Sequence, residues 1–215
     1  SFQLAVSGSS LAPVGVSAQG EKLVVTAGNY VLIYNTAPTG SAEHDVTVGD
    51  GADTCAASSL NGAKSAYLTP AGRLVVADTN NNRVLIWAQV PLTGVLGEAD
   101  VVLGQEHQET CDANDDGASV GVPSNRTLSH PTSVWSDDVR LFVADANNHR
   151  VLVWDDFEEI IEGRLNFQPA NHVIGQQNFT DSAGNRGQAV PSATTLFWPH
   201  SLDVSAAGEL AGTDT

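Results

Sequence analysis

The sequence predicts an all-β chain whose sheets stand around a common axis as the blades of a propeller, and three observations predict it. A fifteen-residue segment, RLVVADTNNNRVLIW at 73–87, returns almost unchanged as RLFVADANNHRVLVW at 140–154. Around each copy stand short β-branched runs separated by turn residues, four to a unit, which is the pattern of a four-stranded antiparallel meander. Such a meander cannot bury both faces alone, so units of this kind pack side by side, and radial stacking is a common solution.

Leu23, Leu74, Leu141 and Leu210 open the repeated runs at spacings of 51, 67 and 69 residues, so the strands recur while the loops vary in length. Each unit begins with a short segment near a proline: LAPVGVSA at 11–18, HPTSVWS at 130–136, PHSLDVS at 199–205, with KSAYLTP at 64–70 as the variant. A Leu-Val-Val type of run, an Asn-rich turn and a Val-Leu-Ile type of run ending in an aromatic follow. An apolar stretch closed by Gly ends the unit, as in HDVTVGD, ADVVLGQ and NHVIGQ. The blades expected are about 11–50, 64–105, 130–176 and 199–215, the last incomplete, and SFQLAVSG at 1–8 alternates like the outer strand of a closing blade. One stretch has helical spacing, DDFEEIIEGRL at 155–165, where Phe157, Ile160, Ile161 and Leu165 fit a turn or two. The chain is read as one propeller domain or part of one, supplying about three and a half blades of an expected six-bladed ring. A partial ring leaves a large apolar edge, so the expected partner is a second copy of the chain or a further segment that completes it.

Nine Lys and Arg against 25 Asp and Glu give a formal charge of −16. That charge repels phosphate backbones and anionic lipid, which argues against a nucleic-acid partner. No apolar run approaches the roughly 18 residues of a membrane helix, so no membrane insertion is expected. The chain starts at Ser1, contains no Met and shows no basic-then-apolar leader, as expected of a processed product or an excised piece.

The segments LVVADTNNNRVLIW and LFVADANNHRVLVW resemble the NHL repeat: an apolar pair, Ala-Asp, an Asn-rich turn, Arg-Val and an apolar ending, with a Pro at the start of the unit. The resemblance covers about residues 11–215, is closest in the second and third units, and implies a propeller. The first unit departs from it, with Ala27 in place of the Asp and no Arg before Val31.

Asp78 and Arg83, like Asp145 and Arg150, lie five residues apart on either side of a hairpin, where they can tie the turn with charge-assisted hydrogen bonds. Asp214 follows Leu210 by the same four residues that separate Asp78 from Leu74, and belongs to the same clasp. Asn80–Asn82 and Asn147–Asn148 tolerate the left-handed backbone of such turns. The repeat is therefore read as structural, each blade needing the same fastening.

Cys55 and Cys111 follow the closing glycines at matching places of successive units, and neighbouring blades would bring them together as a disulfide. A disulfide would place the protein in an oxidising compartment, extracellular or periplasmic. DANDDG at 112–117 has Asp112, Asn114 and Asp116 at the alternation that wraps a hard cation, but the twelfth position is Pro123 instead of a bidentate Glu. Both readings stand for this loop, a calcium site and a solvated acidic turn. His130, His149, His172 and His200 raise a metal reading, but only His130 and His200 sit near inner strands, beside Pro131 and Pro199, with no third ligand in the pattern; the expectation is that these histidines line the channel mouth or pack between blades. Trp87 and Trp154, with Tyr34 as their counterpart, are packing residues. Asn125-Arg-Thr and Asn178-Phe-Thr fit the glycosylation acceptor pattern, which matters only in a eukaryotic secretory route.

The leading functional expectation is a non-enzymatic binding or scaffold propeller whose variable loops, roughly 50–65, 105–128 and 176–196, recognise a protein or small ligand. The alternative is a metal-assisted lyase or hydrolase acting at the central channel.

Overall fold

Valine, isoleucine and leucine fill the central strands without polar interruption because both faces of those strands are covered. In a computed structural model that describes residues 4–6, 9–39, 42–205 and 207–214, the chain opens with a hairpin, β1 (Leu4–Val6) with β2 (Ser9–Leu11). The segment 1–8, expected as one strand of a closing blade, thus pairs its Leu4–Val6 part with the following residues; its other residues lie outside those described.

The first blade runs β3 (Gly15–Gln19), β4 (Lys22–Ala27), β5 (Tyr30–Tyr34) and β6 (Val46–Val48). The second runs β7 (Ser65–Leu68), β8 (Leu74–Asp78) and β9 (Arg83–Trp87), then, after a detour through β10 (Gly94–Leu96), β11 (Val101–Leu103). The detour was not foreseen: β10 pairs in parallel with β6, adding a fifth strand to the first blade from the loop of the second. The third blade is β12 (Pro131–Ser136), β13 (Leu141–Asp145), β14 (Arg150–Trp154) and β15 (His172–Ile174). A half blade, β16 (Ser201–Val204) with β17 (Leu210–Thr213), follows. Between β14 and β15 a short helix, α1 (Phe157–Glu162), buries Phe157, Ile160 and Ile161. It stops at Gly163, so Leu165 stays 42% exposed instead of joining that face.

Alternation along each strand sends successive side chains to opposite neighbours. One cluster joins Val24, Ile33 and Val48 of the first blade to Leu74, Leu85 and Trp87 of the second. Another joins Val75, Val84 and Leu103 of the second blade to Val143, Leu152 and Trp154 of the third. A third joins Phe142, Val151 and Val153 to Val204 of the half blade. The innermost strands follow one another around the axis, β3 against β7, β7 against β12 and β12 against β16. Serines fasten this inner ring. Ser17 Oγ donates to the Ala66 carbonyl (2.7 Å), Ser65 Oγ accepts the Val134 N–H (3.4 Å) and Ser133 Oγ accepts the Leu202 N–H (3.1 Å). The chain is a partial propeller, three blades each built on four antiparallel strands, the first with β10 added at its outer edge, and the inner half of another.

Candidate functional site

The repeated hairpins end in a one-turn 3-10 segment, Thr79–Asn81 or Ala146–Asn148, closed by a left-handed residue, Asn82 (φ 52°) or His149 (φ 53°). This geometry sets Asp78 opposite Arg83 and Asp145 opposite Arg150 in the ladder, with Nε to Oδ2 distances of 2.7 Å in both pairs and all four side chains fully buried. The carboxylates do more than hold the turn. Asp78 Oδ1 accepts the Asn61 N–H ahead of its own inner strand, and Asp145 Oδ1 accepts the Ser129 N–H, both at 2.7 Å. Asp214 receives the Phe197 N–H at 3.0 Å in the same manner. Burial pushes the Asp78 carboxyl up, against the pull of Arg83 and of the donors at Asn61 and Asn81.

The arginines reach further. Arg83 Nη2 donates to the carbonyls of Ala56 (3.0 Å) and Ser59 (2.8 Å) in the loop that enters the blade, and Nη1 to Gln108 in the loop that leaves it. Arg150 repeats the arrangement with Ser124 (3.0 Å), Thr127 (2.9 Å) and Phe179. Each clasp therefore gathers a hairpin tip and two interblade loops on one face of the propeller. The first blade, without Asp or Arg, turns instead in two residues, Gly28 (φ 62°) and Asn29. Asn29 Oδ1 accepts the Gly62 N–H at 2.9 Å and so supplies the link to the second blade.

On the same face Cys55 and Cys111 form a disulfide with 6.1 Å between their Cα atoms, tying the loop before the second blade to the loop after it. A disulfide of this kind belongs to an oxidising, non-cytoplasmic compartment. No helix among the described residues is long and apolar enough to cross a membrane.

The acidic loop that follows Cys111 spends its side chains internally. Asn114 and Asn148 exchange amide hydrogen bonds (3.0 and 2.8 Å), and Asn114 Oδ1 also accepts from Thr127 (3.4 Å), which occupies both of its lone pairs. Asp116 Oδ1 accepts the Ala118 and Ser119 N–H groups (3.0 and 2.7 Å), closing its own turn. Asp112 lends its carbonyl to Gln105 Nε2 (2.8 Å). Of the three expected calcium ligands, Asn114 is thus turned into the blade interface, and no group of three or more His, Cys, Asp or Glu side chains positioned for a metal occurs among the described residues.

The inner strands line an open cavity of about 650 Å³ at the axis, with Lys64, His200, Tyr67, Trp135 and Asp203 among its walls. His130 is half-buried behind the mouth; burial first, then Lys64 and His200, hold its imidazole below the ordinary range. Lys64 and His200 thus both act on His130. Tyr67 packs on Trp135 (ring centroids 6.1 Å apart), and burial, then Asp203, Asp138 and Asp137, push its phenol up. Trp135 also meets Phe142 edge-on at 5.7 Å, while Trp87 and Trp154 are buried and donate their indole N–H to Gly97 and Gln168 carbonyls (both 3.0 Å).

Two further residues of this face were missed in the sequence. Gln105 and Gln176, each directly after the glycine that closes an outer strand, send Nε2 to hairpin-tip carbonyls: Gln105 to Asn82 (3.1 Å), Gln176 to Asn148 (3.1 Å) and His149 (3.2 Å). The recurrence of Gly-Gln at 104–105 and 175–176 was the signal. The motif Val-Pro-Ser-x-x-Thr-Leu, at 122–128 and again at 190–196, carries Ser124 and Thr127, whose carbonyls take Arg150, and leaves Val122 and Val190 exposed at the tips.

No protein family and no curated protein matches this sequence. Among solved structures, streptogramin B lyase is similar over 99% of this chain and 51% of its own, at 10% identity and a TM-score of 0.51. The computationally designed Ika4 protein aligns over 98% of this chain and 95% of its own, at 10% identity and a TM-score of 0.46. This chain spans about half the length of the lyase, and at that identity the likeness concerns the fold alone. The blades, their order and the likeness to the lyase agree on one architecture, a β-propeller of four-stranded antiparallel blades.

Proposed function

We propose that the chain is a non-enzymatic binding or scaffold module of NHL type, secreted or periplasmic, which recognises its ligand on the face that carries the hairpin tips and interblade loops. The observation that supports this reading is the way Arg83, Arg150, the Cys55–Cys111 disulfide and the Asn114–Asn148 pair bind the loops of three successive blades into one preorganised surface. A surface ordered before contact loses little conformational entropy on binding. Its most exposed apolar points are Val120, Val122 and Val190, 63%, 51% and 73% accessible, in two of the variable loops. On the inner strand of the first blade, Val14 and Val16 are 60% and 70% exposed, which supports a second role for contacts, completion of the ring by a second copy or a further segment.

Immobilised protein is exposed to the extracellular fraction of its own source, as wild type, as Val122→Glu/Val190→Glu and as His130→Ala/His200→Ala. Retained material lost only with the valine variant supports the proposal. Material lost only with the histidine variant, together with a stoichiometric transition metal in the wild type that this variant lacks, supports the alternative of a metal-assisted lyase or hydrolase at the channel.

A further inference from the structure

At three junctions a residue with left-handed backbone just ahead of an inner strand donates its N–H to the side chain at the preceding blade's hairpin tip. Gly62 (φ 59°) donates to Asn29 Oδ1 at 2.9 Å, and His130 (φ 57°) to Asn82 Oδ1 at 2.8 Å. At the third junction Trp198 (φ 56°) donates to His149 Nδ1 at 2.9 Å. The acceptor at the first two is an amide, which does not titrate. At the third it is an imidazole nitrogen, which accepts only while unprotonated.

From this contrast we infer that His149 is a pH-sensitive latch between the third blade and the half blade, closed when its imidazole is neutral and released when it is protonated. The ring is packed as well as bonded: it stacks on Phe197 with centroids 5.0 Å apart and meets Trp198 edge-on at 6.3 Å. With Nδ1 accepting, the proton of the neutral ring resides on Nε2. Gaining a second proton converts Nδ1 into a donor facing the Trp198 donor, so the contact turns repulsive.

The charged groups on the elements around the ring are few. Asp145 lies on its own hairpin, buried in its pair with Arg150; Asp214 of the half blade holds the Phe197 N–H; Arg186 of the adjoining loop bonds the Gly175 and Gln176 carbonyls (both 3.1 Å). Burial holds the His149 imidazole below its ordinary value, and Asp145 offsets part of that. For a base whose folded pKa is lowered, the latched state is stabilised above the ordinary imidazole range, near pH 6.5, and that stability is lost as pH falls through the lowered value. Release would free Phe197 and Trp198 and the start of β16, one wall of the axial cavity, without disturbing the other junctions. The inference does not depend on the ligand assigned to the molecule.

Amide hydrogen exchange between pH 8 and 5, corrected for intrinsic rates, tests it in wild type and in His149→Asn, the residue found at the other two junctions. Protection of the Trp198 amide should be constant above the ordinary imidazole value, fall by up to about tenfold per pH unit between that value and the lowered one, and level off below it. The Gly62 amide, whose junction holds no titrating group, should stay level, and in His149→Asn the Trp198 amide should stay level too. A level Trp198 amide in wild type, an equal fall at the Gly62 amide, or a fall that persists in His149→Asn would overturn the inference.

Discussion

Asn114 and Asn148, 34 residues apart, exchange two amide hydrogen bonds across the junction of the second and third blades, while Asn148 Nδ2 also reaches Asp145 Oδ2 at 2.7 Å. The pair couples the acidic loop to the clasp of the third blade. Asn114→Ala leaves the Asn148 carbonyl oxygen buried without its donor and should cost about 1–3 kcal/mol in urea unfolding. A double-mutant cycle with Asn148→Ala should return a coupling of about 0.5–3 kcal/mol. Because Asn114 has no lone pair to give, millimolar Ca²⁺ should leave Tm unchanged; a rise of several degrees would reassign the loop.

A buried clasp and a surface ion pair differ in what their removal exposes. Arg83→Met leaves Asp78 charged in the interior and strips a donor from three carbonyls, so it should destabilise by about 3–5 kcal/mol. Replacing the surface pair Arg140–Asp137, whose side chains are 36% and 30% exposed, should cost at most about 1 kcal/mol. Equilibrium unfolding of the two variants checks the contrast.

Cys55 and Cys111 close a loop of 56 residues. By chain entropy, Cys55→Ser/Cys111→Ser should lose about 4 kcal/mol. The loss is read from thermal and denaturant curves with and without reductant, the double variant showing no response to reductant.

Glycines with similar backbone differ in surroundings. Gly175 (φ +93°) and Gly72 (φ +84°) both need a conformation that L residues avoid, but a methyl on Gly175 would sit 2.8 Å from Leu196 Cδ1 and 3.0 Å from the His149 carbonyl, whereas Gly72 has open space. Gly72→Ala should cost about 1–2 kcal/mol for backbone alone. Gly175→Ala should cost clearly more, with altered exchange at His149; equal costs would contradict the packing described.

The strands were legible because the repeat states them plainly: runs such as Leu74-Val75-Val76 and Val84-Leu85-Ile86 are continuous, as strands covered on both faces are. The disulfide was legible from matching positions. The reach of Arg83 and Arg150 was not, because their partners are backbone carbonyls of Ala56, Ser59, Ser124 and Thr127, and a carbonyl has no sequence signature. Strand β10 escaped for a similar reason, since Gly94, Val95 and Leu96 pair in parallel through backbone bonds with a strand of another unit, and only Leu96 packs on the core. His149 stands in an Asn position of the turn, and its importance lies in the residue it accepts from, 49 positions away. In the axial site, Lys64 beside His130 and His200, and Tyr67 on Trp135, are juxtapositions made only when inner strands of separate units meet.

The account rests on the clasps acting between blades and not merely within one hairpin. Amide exchange of Arg83→Met against wild type measures this directly. The account predicts that residues 56–61 and 108–112 lose protection together with the 78–83 turn. Loss confined to the turn, with both loops as protected as before, would contradict it.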